Sequence, residues 1–364
     1  MTQPNASRIN QLSVSDAIQL DGCELSLAFR RDSGFRNLSR SSIHAHIGNT
    51  VHAVSEEFAK SHTIDDFDVW FTHTWSLSIN QEFEKYVSEI FPVPPRSLES
   101  WPNIVLKKML LRANLEKRWN HRGGEQIVRE AHVPLEGVEV RLPSRGLSRS
   151  PIPVVYGRAD EIKKIGTTPL ITDLKTGFSD EIGQRTRTQL ALYAYLYHFE
   201  TGIVPKVAKQ DISGEIQIVH QIDEEFALNT YARINGKIVT FNERVAEATF
   251  TSAVSKENCG HCDFRVACDA FKSSELNEGV WWVAEGTVTA VLDAGDGRCS
   301  VKLQSRDSSG EVLAIAGLEL EAWLNRIGSV VAFGGLLESS AVGGSFRFRE
   351  ESRYILLETD GVSN

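Results

Sequence analysis

The stretch from Tyr156 to Tyr197 constrains the fold of this chain more than any other part of it. Two runs rich in β-branched residues, VVYGRADEIKKI and PLITDLKTG, are separated by turn-forming residues 166–169, which predicts a β-hairpin. A helix is expected next, because apolar side chains recur there at three- and four-residue spacing from Leu190 to Tyr197. The stretch therefore predicts a hairpin followed by a helix that packs on it.

Charged residues lie on this predicted hairpin in a pattern that suits metal chemistry. Side chains alternate along a strand, so Asp173 and Lys175 share one face, and Asp160 on the paired strand can reach them. Oxygen ligands of this kind select Mg²⁺ or Mn²⁺. Such an ion activates water, and a nearby lysine can balance charge on a phosphate, so the pattern favours phosphodiester hydrolysis. The ordinary alternative is an exposed Asp–Lys pair, which contributes only about 0–1 kcal/mol.

Three short motifs in this stretch resemble those of a known family. Gly157-Arg158-Ala159-Asp160, then Asp173-Leu174-Lys175-Thr176-Gly177, then Gln189-Leu190-x-x-Tyr193 resemble the PD-(D/E)XK nucleases of the RecB/AddB type. The likeness is greatest to the iron–sulfur exonucleases, including those of CRISPR adaptation, and it covers about residues 11–272. It implies that Asp160, Asp173 and the Leu174 carbonyl bind the metal and that Lys175 serves catalysis. Gln189 and Tyr193 would orient the substrate.

Two upstream residues extend the implied metal site. Gly48 and His52 form G-x-x-x-H, which resembles the motif that supplies a histidine ligand in RecB-like nucleases, and a neutral imidazole can bind a metal. His44 and His46 are interpreted as ordinary helical residues. Glu130 stands where relatives carry an acidic residue on the preceding strand, although a surface role is an equal alternative.

Composition sets the broad class of protein. A chain of 364 residues can form two domains, and its 41% hydrophobic and 24% charged residues are ordinary for a globular protein. No apolar run approaches the roughly 18 residues of a membrane span, and the polar amino terminus lacks a signal-peptide core, so a cytoplasmic location is expected. The net charge of −9 means that DNA contacts would rely on local basic patches.

Arginines near the predicted site are candidate phosphate contacts, with solvated surface residues as the alternative. They comprise Arg30, Arg31, Arg145, Arg149, Arg185, Arg347 and Arg349, with Arg36, Arg40 and Arg187 close by. The substrate expected from the resemblance is DNA, with single strands favoured.

Five cysteines in a chain without secretory features argue against a disulfide framework. Cys259, Cys262 and Cys268 form C-x2-C-x5-C, which can wrap zinc or an iron–sulfur cubane once a fourth ligand is added. His261 could complete a zinc site. The resemblance instead implies that Cys23 completes a [4Fe-4S] cluster, which would clasp the two ends of the nuclease domain together. Cys299 is interpreted as a small buried side chain.

Residues 62–120 read as an aromatic-rich helical insertion, which either walls a substrate channel or simply packs as core helices. Past residue 278 the pattern changes to short alternating strands between Gly-, Asp- and Ser-rich turns. About five strands and one short helix predict a small barrel of the OB type. Candidate strand-binding residues there are Phe346, Phe348, Arg353 and Tyr354; a protein-docking module is the alternative.

The sequence thus predicts a mixed α/β PD-(D/E)XK core over residues 1–275, with a helical insertion and an iron–sulfur clasp, followed by an OB-like barrel over residues 279–364. The expected activity is Mg²⁺- or Mn²⁺-dependent DNA cleavage by an exonuclease. A non-catalytic binding protein on the same fold and a zinc-stabilised regulatory protein are the rivals. Since the chain has no G-x-x-x-x-G-K-[ST] motif, any helicase must be a partner, as would other components of a defence system.

Overall fold

The computed structural model describes residues 4–61, 63–90, 95–122, 137–143, 154–177, 182–260, 262–277, 282–306, 312–338, 345–349 and 352–357. They form a mixed α/β structure with two six-stranded sheets. Strands of the first sheet are β1 (Leu12–Ser13), β2 (Gly137–Leu142), β3 (Val155–Ile165), β4 (Thr168–Lys175), β5 (Lys206–Asp211) and β6 (Ile216–Ile218). Helices before the second sheet are α1 (Val14–Gly22), α2 (Glu24–Arg31), α3 (Ile43–Lys60), α4 (Phe67–Ile90), α5 (Ile104–Arg122), α6 (Gln184–Thr201), α7 (Glu224–Arg244), α8 (Lys256–Cys259) and α9 (Asp269–Lys272). No helix within these residues is both long and apolar enough to span a bilayer.

The first sheet is built around the predicted hairpin of β3 and β4. The two strands pair antiparallel and turn at Gly166, whose φ of 61° a glycine adopts without strain. The order is β1-β3-β4-β5-β6, with β2 beside β3, and β4 pairs parallel with β5. A parallel connection needs a crossover, and α6 provides it. The helix predicted after the hairpin is therefore the one that covers the sheet.

The core of this sheet lies under α1, α6 and α7. Helix α6 buries Leu190, Leu196 and Tyr197 completely, as its apolar spacing predicts. Helix α1 begins after Ser13, whose hydroxyl accepts a hydrogen bond from the Asp16 amide and so caps the helix. Packing of α1 and α6 on the sheet fixes the position of every residue that α6 presents to the hairpin.

Helices α4 and α5 pack on α3 through aromatic side chains. Phe71 and Trp75 are buried there, and Phe67 stacks on Trp119 at a centroid distance of 5.5 Å. The predicted insertion therefore has a hydrophobic core of its own, because buried aromatic rings contribute most of the packing energy in such a cluster. The same packing holds α3, which carries His52, against the sheet.

The second sheet contains β7 (Trp282–Gly295), β8 (Arg298–Ser305), β9 (Val312–Glu319), β10 (Val330–Glu338), β11 (Ser345–Arg347) and β12 (Arg353–Leu357), with helix α10 (Leu320–Trp323) between β9 and β10. The order is β11-β9-β8-β7-β10-β12, and β11 also pairs with β10, so the ladder closes on itself. The described residues hold one strand more than the five expected, because β12 pairs along the outer edge of β10.

Aromatic side chains proposed for strand binding lie inside this second sheet. Phe346 and Phe348 are only 6% and 3% exposed, and Phe348 packs edge-on against Phe333. Tyr354 contacts Trp323 and Phe333 in the same cluster. Alternate residues of these strands face the core, so the rings of Phe346 and Phe348 are not available to stack on bases, and that prediction is wrong for them; Tyr354 is half-buried.

A small shared core joins the second sheet to the segment that carries the cysteines. Phe29, Phe264, Val266 and Ala332 are buried together there. Gly334 approaches Val266 so closely that a Cβ would lie 2.9 Å from its side chain. Arg353 is also buried at this junction, where it donates to the Leu38 carbonyl at 2.8 Å and to Asp263 at 2.7 Å. This arginine therefore links the two parts rather than projecting to solvent.

Candidate active site and cysteine pocket

Three side chains from three elements meet at the middle of the first sheet. His52 on α3, Glu139 on β2 and Asp160 on β3 each present one ligand atom within 4.8 Å of the others. The Nδ1 atom of His52 lies 3.5 Å from a Glu139 oxygen and 3.6 Å from an Asp160 oxygen. One imidazole and two carboxylates at this spacing form a donor set that suits a small divalent cation.

Glu139 is the member that the sequence analysis missed. Because β2 pairs with β3 in antiparallel register, Val138 faces Glu161 and Val140 faces Ala159, which sets Glu139 opposite Asp160. Its φ of 54° is rare for a residue with a side chain, and such strain is concentrated at functional sites. Glu130, the residue named from the sequence, lies outside the described residues. The alternation of apolar and polar residues in GVEVRL indicates a strand, but it identifies Glu139 as a site residue only once the pairing of β2 with β3 is known.

A second row of polar side chains runs from β4 to α6. The Nζ atom of Lys175 lies 2.7 Å from Oδ2 of Asp173 and donates to Oε1 of Gln189 at 2.9 Å. Gln189 in turn donates to the hydroxyl of Tyr193 at 3.5 Å. Asp173 is 2% exposed, and its Oδ2 accepts no well-aligned hydrogen bond within the described part of the chain. The Lys175 ammonium is the cation that this buried oxygen contacts, and Asp173 lies outside the group of three residues whose ligand atoms meet within 4.8 Å.

The backbone of β4 connects the two rows. The Leu174 amide donates to Oδ2 of Asp160 at 2.6 Å, which brings the Asp160 carboxylate beside the residue that follows Asp173. Leu174 also lines the small pocket of about 30 Å³ that holds His52, Glu139 and Asp160. His52, Asp160 and Leu174 therefore border one pocket, and the row of Asp173, Lys175, Gln189 and Tyr193 is linked to it through the hydrogen bond between Leu174 and Asp160.

The glycine of the G-x-x-D motif has a packing role. A Cβ at Gly157 would lie 2.6 Å from the ring of Tyr193 and 2.7 Å from the side chain of Val14. Only a residue without a side chain lets α6 and α1 approach β3 this closely. Gly157 thus positions the Tyr193 end of the polar row.

Burial and neighbouring carboxylates disfavour the ionised form of Asp160 in the metal pocket. Burial raises the pKa of Asp160 to about 6; the charge of His52 opposes this rise, and those of Asp173 and Glu139 add to it. Burial would lower the pKa of His52, but its contact with Glu139 and the charges of Asp160 and Asp173 raise it overall. Carboxylates held this close without a cation repel one another, so the residues fit a bound divalent ion.

Predicted DNA-contacting arginines have varied surroundings. Arg30 lies 3.3 Å from Asp16 and donates to Gln19 at 2.8 Å, while Arg31 donates to the Ser7 carbonyl at 3.1 Å. The first two arginines therefore support the N-terminal helices. Arg185 and Arg347 are exposed, and Arg349 is half-buried. Arg145 and Arg149 lie outside the described residues.

Cys23, Cys259, Cys262 and Cys268 line one small pocket of about 20 Å³. Cys23 lies between α1 and α2, and the other three border α8, a 3₁₀ turn and α9. Asn258 donates to the Gly22 carbonyl at 2.9 Å, which ties the two cysteine-bearing segments together across the chain. Cys299 is fully buried in the second sheet, as expected of a small apolar side chain.

The chemistry of this pocket suits a soft metal centre. Burial raises the pKa of the Cys262 thiol to about 11 and also raises those of Cys259 and Cys268, so these groups keep their protons unless a metal replaces them. A tetrahedral zinc would hold its sulfurs about 3.8 Å apart, at Zn–S distances of roughly 2.3 Å. Among the described cysteines, no three sulfurs lie within 4.8 Å of one another. His261, the other zinc ligand considered, lies outside the described residues.

The chain belongs to the PD-(D/E)XK nuclease superfamily, whose family model matches residues 11–269. Membership implies a phosphodiester hydrolase that uses divalent metal and acts on DNA. The chain is also similar to the crystal structure of a candidate exonuclease from Eubacterium rectale, with 13% identity and a TM-score of 0.40 over 73% of this chain and 88% of that one. A second solved structure, SSO0001, shows 14% identity and a TM-score of 0.32 over the same shares. These two likenesses are distant, and the assignment rests on the family match. No curated protein matches the chain.

Proposed function

We propose that this protein is a Mg²⁺- or Mn²⁺-dependent deoxyribonuclease of the RecB/AddB-like iron–sulfur type, acting as an exonuclease on single-stranded or end-frayed DNA. The observation that carries the proposal is the convergence of His52, Glu139 and Asp160 within 4.8 Å, beside the Asp173–Lys175 pair. DNA repair, CRISPR adaptation and defence against phage are processes that use such an activity. A helicase or a defence-system protein would then be its partner.

Each residue has a role in this proposal. His52, Glu139, Asp160 and Asp173 would hold the ion, with the Leu174 carbonyl as a further ligand. When bound, the ion supplies Lewis acidity that activates water and neutralises charge on the phosphate. Lys175 would orient the attacking water and stabilise developing negative charge, because its ammonium is already directed by Asp173 and Gln189. Tyr193, which is 6% exposed and accepts a hydrogen bond from Gln189, would orient the substrate by holding Gln189 in place.

A cleft beside the metal pocket supports a nucleic-acid substrate. It has a volume of about 560 Å³ and shares Asn114, Arg118 and Glu161 with the metal pocket. Lys117 and His121 also line it. Cationic side chains next to the reacting centre would hold the phosphates that flank the scissile bond.

The activity is tested with end-labelled single and double strands, each end blocked in turn, in Mg²⁺ or Mn²⁺. Wild-type protein should shorten the strands from an open end, and Lys175→Ala should abolish cleavage while strand binding persists. Lys206→Ala is a matched control, because Lys206 is an exposed lysine at the far end of the neighbouring strand β5. Wild-type protein that binds strands but never cuts them would favour a non-catalytic binding protein.

The four cysteines would bind a [4Fe-4S] cluster in this proposal. The support is their shared pocket, together with the resemblance of Cys23 and the C-x2-C-x5-C pattern to those of the iron–sulfur nucleases. A cluster there would connect the segment after α1 to the segment around α8 and α9, so its role would be structural. Iron and sulfide analysis of anaerobically purified protein tests this, and a colourless zinc-loaded protein would refute it.

In this proposal, residues 1–275 form the nuclease domain and residues 279–364 form a second, carboxy-terminal domain. The closed ladder of β7–β11 supports an OB-like barrel. Its aromatic rings lie in the core, which favours a docking module for a protein over a surface for stacking bases. If docking is its role, Arg347→Gln, which alters an exposed arginine of β11, should leave strand binding intact.

A further inference from the structure

A large cleft opens at the amino-terminal end of α3, away from the metal pocket. Its volume is about 650 Å³, and it lies between α3, α4 and the segment that carries Cys259 and Cys262. Five basic side chains line it: Arg40, His44, Arg96, Arg265 and Arg353. Nothing in the proposed catalytic roles uses this cleft.

The charge of the cleft is opposite to that of the whole chain. Within the described part of the chain, its lining carries four arginines and two carboxylates, Glu89 and Asp263, whereas the chain has 48 acidic and 39 basic residues. Both carboxylates already have partners: Asp263 accepts from Arg353 at 2.7 Å, and Glu89 accepts from the Ser41 amide at 3.1 Å. A local excess of positive charge in a concave site attracts an anion.

Arg40 and Arg353 are close enough to repel each other. Burial lowers the pKa of Arg40 to about 10; the charge of Arg353 adds to this fall, and the charges of Tyr354, Asp263 and Glu89 oppose it. Arg353 directs its guanidinium to the Leu38 and Ser352 carbonyls and to Asp263, so it adds charge to the cleft rather than a fork for the anion. The first turn of α3 lines the same cleft with Ile43 and His44, and the amide groups of a helix's first turn favour an anion as well.

Helix α3 connects this cleft to the metal pocket. His44 lines the cleft and His52 lies in the metal pocket, and eight residues at about 1.5 Å each separate them by about 12 Å along the helix. At about 3.4 Å per stacked nucleotide, this distance corresponds to roughly three to four nucleotides of one strand. The two places therefore lie within the reach of one short strand that follows α3.

We propose that this arginine-lined cleft binds backbone phosphates of the substrate strand, three to four nucleotides from the phosphate that is cut. The inference rests on the proposed nuclease function and adds a second contact that sets the minimum strand length. Because the cleft borders Gly260 and Asp263, a bound strand would also contact the cysteine-bearing segment.

The test measures how tightly labelled oligothymidylates of increasing length bind the full-length protein at several salt concentrations. Divalent metal is left out of the buffer, so that binding is measured without cleavage. Arg40→Gln/Arg96→Gln should weaken binding of long strands roughly tenfold or more and reduce the salt slope by about 1.4, or about 0.7 for each lost phosphate contact. Wild-type affinity should rise steeply once a strand is long enough to reach both places, at about four nucleotides, and this rise should be smaller in the variant. Arg298→Gln/Arg326→Gln, which alters two exposed arginines of the second sheet region, is the matched control and should bind like wild type.

Unchanged affinity and salt slope in a folded Arg40→Gln/Arg96→Gln variant would overturn the proposal. If the half-buried Arg40 proves necessary for folding, Arg96→Gln alone tests it, because Arg96 is exposed, and a slope change of about 0.7 is then expected. Tight binding of inorganic phosphate that does not compete with the strand would also refute it, in favour of a small-anion site. Binding is measured without cleavage, so a protein that binds through the cleft but never cuts would refute only the proposed nuclease function.

Discussion

Replacement of Asp160 by Asn should stabilise the metal-free protein. The Asp160 side chain is 18% exposed, so solvent screens its carboxylate only weakly, and Glu139 and Asp173 lie nearby. Burial and these charges raise its pKa from 3.8 to about 6. At about 1.4 kcal/mol per pH unit, ionisation in the folded state therefore costs about 3 kcal/mol at pH 8. Asparagine keeps an oxygen that can accept the Leu174 amide but carries no charge.

The dependence of this effect on pH has a defined sign. Because the folded-state pKa lies above the unfolded one, the folded protein holds a proton between pH 4 and 6 that the unfolded chain has lost. Wild-type stability therefore falls across this window as the pH rises. Asp160→Asn should match wild type near pH 4 and exceed it above pH 7 by about 1–3 kcal/mol, since loss of the attraction to His52 offsets part of the gain.

Urea denaturation of both proteins at several pH values, with metal removed, measures this difference. Asp21→Asn is a matched control of opposite sign: burial would raise the pKa of Asp21, but hydrogen bonds from Arg233 and Lys237 lower it overall, so loss of its charge should destabilise the fold at neutral pH. Mn²⁺ at about 100 times its Kd should raise the free energy of unfolding of the wild type by about 2.7 kcal/mol, and that of Asp160→Asn by much less. If metal-free Asp160→Asn is less stable than wild type at pH 8, ionisation of Asp160 does not destabilise the metal-free fold, and the prediction is refuted.

Three further predictions follow from the same geometry. Mn²⁺ affinity measured by calorimetry should fall up to about tenfold per pH unit below pH 6, because a proton on Asp160 competes with the ion; a flat profile would exclude Asp160 as a ligand. Gly157→Ala should cost roughly 1–3 kcal/mol in urea denaturation, since its Cβ would lie 2.6 Å from the ring of Tyr193; an unchanged midpoint would mean that α6 moves freely. Cys262→Ser should remove the brown colour of anaerobically purified protein and lower its melting temperature, and retention of full iron content would exclude Cys262 as a ligand.

Local patterns were enough to predict the hairpin and the helix that follows it. The period-two alternation of β3 and β4 and the helical spacing of α6 agree with the structure, because each depends on residues that are close in sequence. The side-chain alternation that puts Asp173 and Lys175 on one face is a property of any strand, so their 2.7 Å contact could be anticipated. The match to the nuclease superfamily agrees with the family suggested by these motifs.

Other features depend on which strands and helices meet, and no short stretch of sequence specifies that. Glu139 belongs with His52 and Asp160 only because β2 pairs with β3 in one register and α3 packs beside them. The aromatic rings of Phe346 and Phe348 looked like exposed stacking groups in the sequence, but closure of the second sheet turned them into its core.

The amino-acid sequence by itself determined the chemistry that this chain carries: two aspartates and a lysine on one hairpin, and three closely spaced cysteines. Tertiary structure alone decided that Glu139 joins the carboxylates, and it placed Cys23, which the resemblance had already suggested, in one pocket with the other cysteines. The physical reason is the range of the interactions. Strand alternation and helical periodicity act over a few residues, whereas burial of the shared core selects partners that are far apart along the chain.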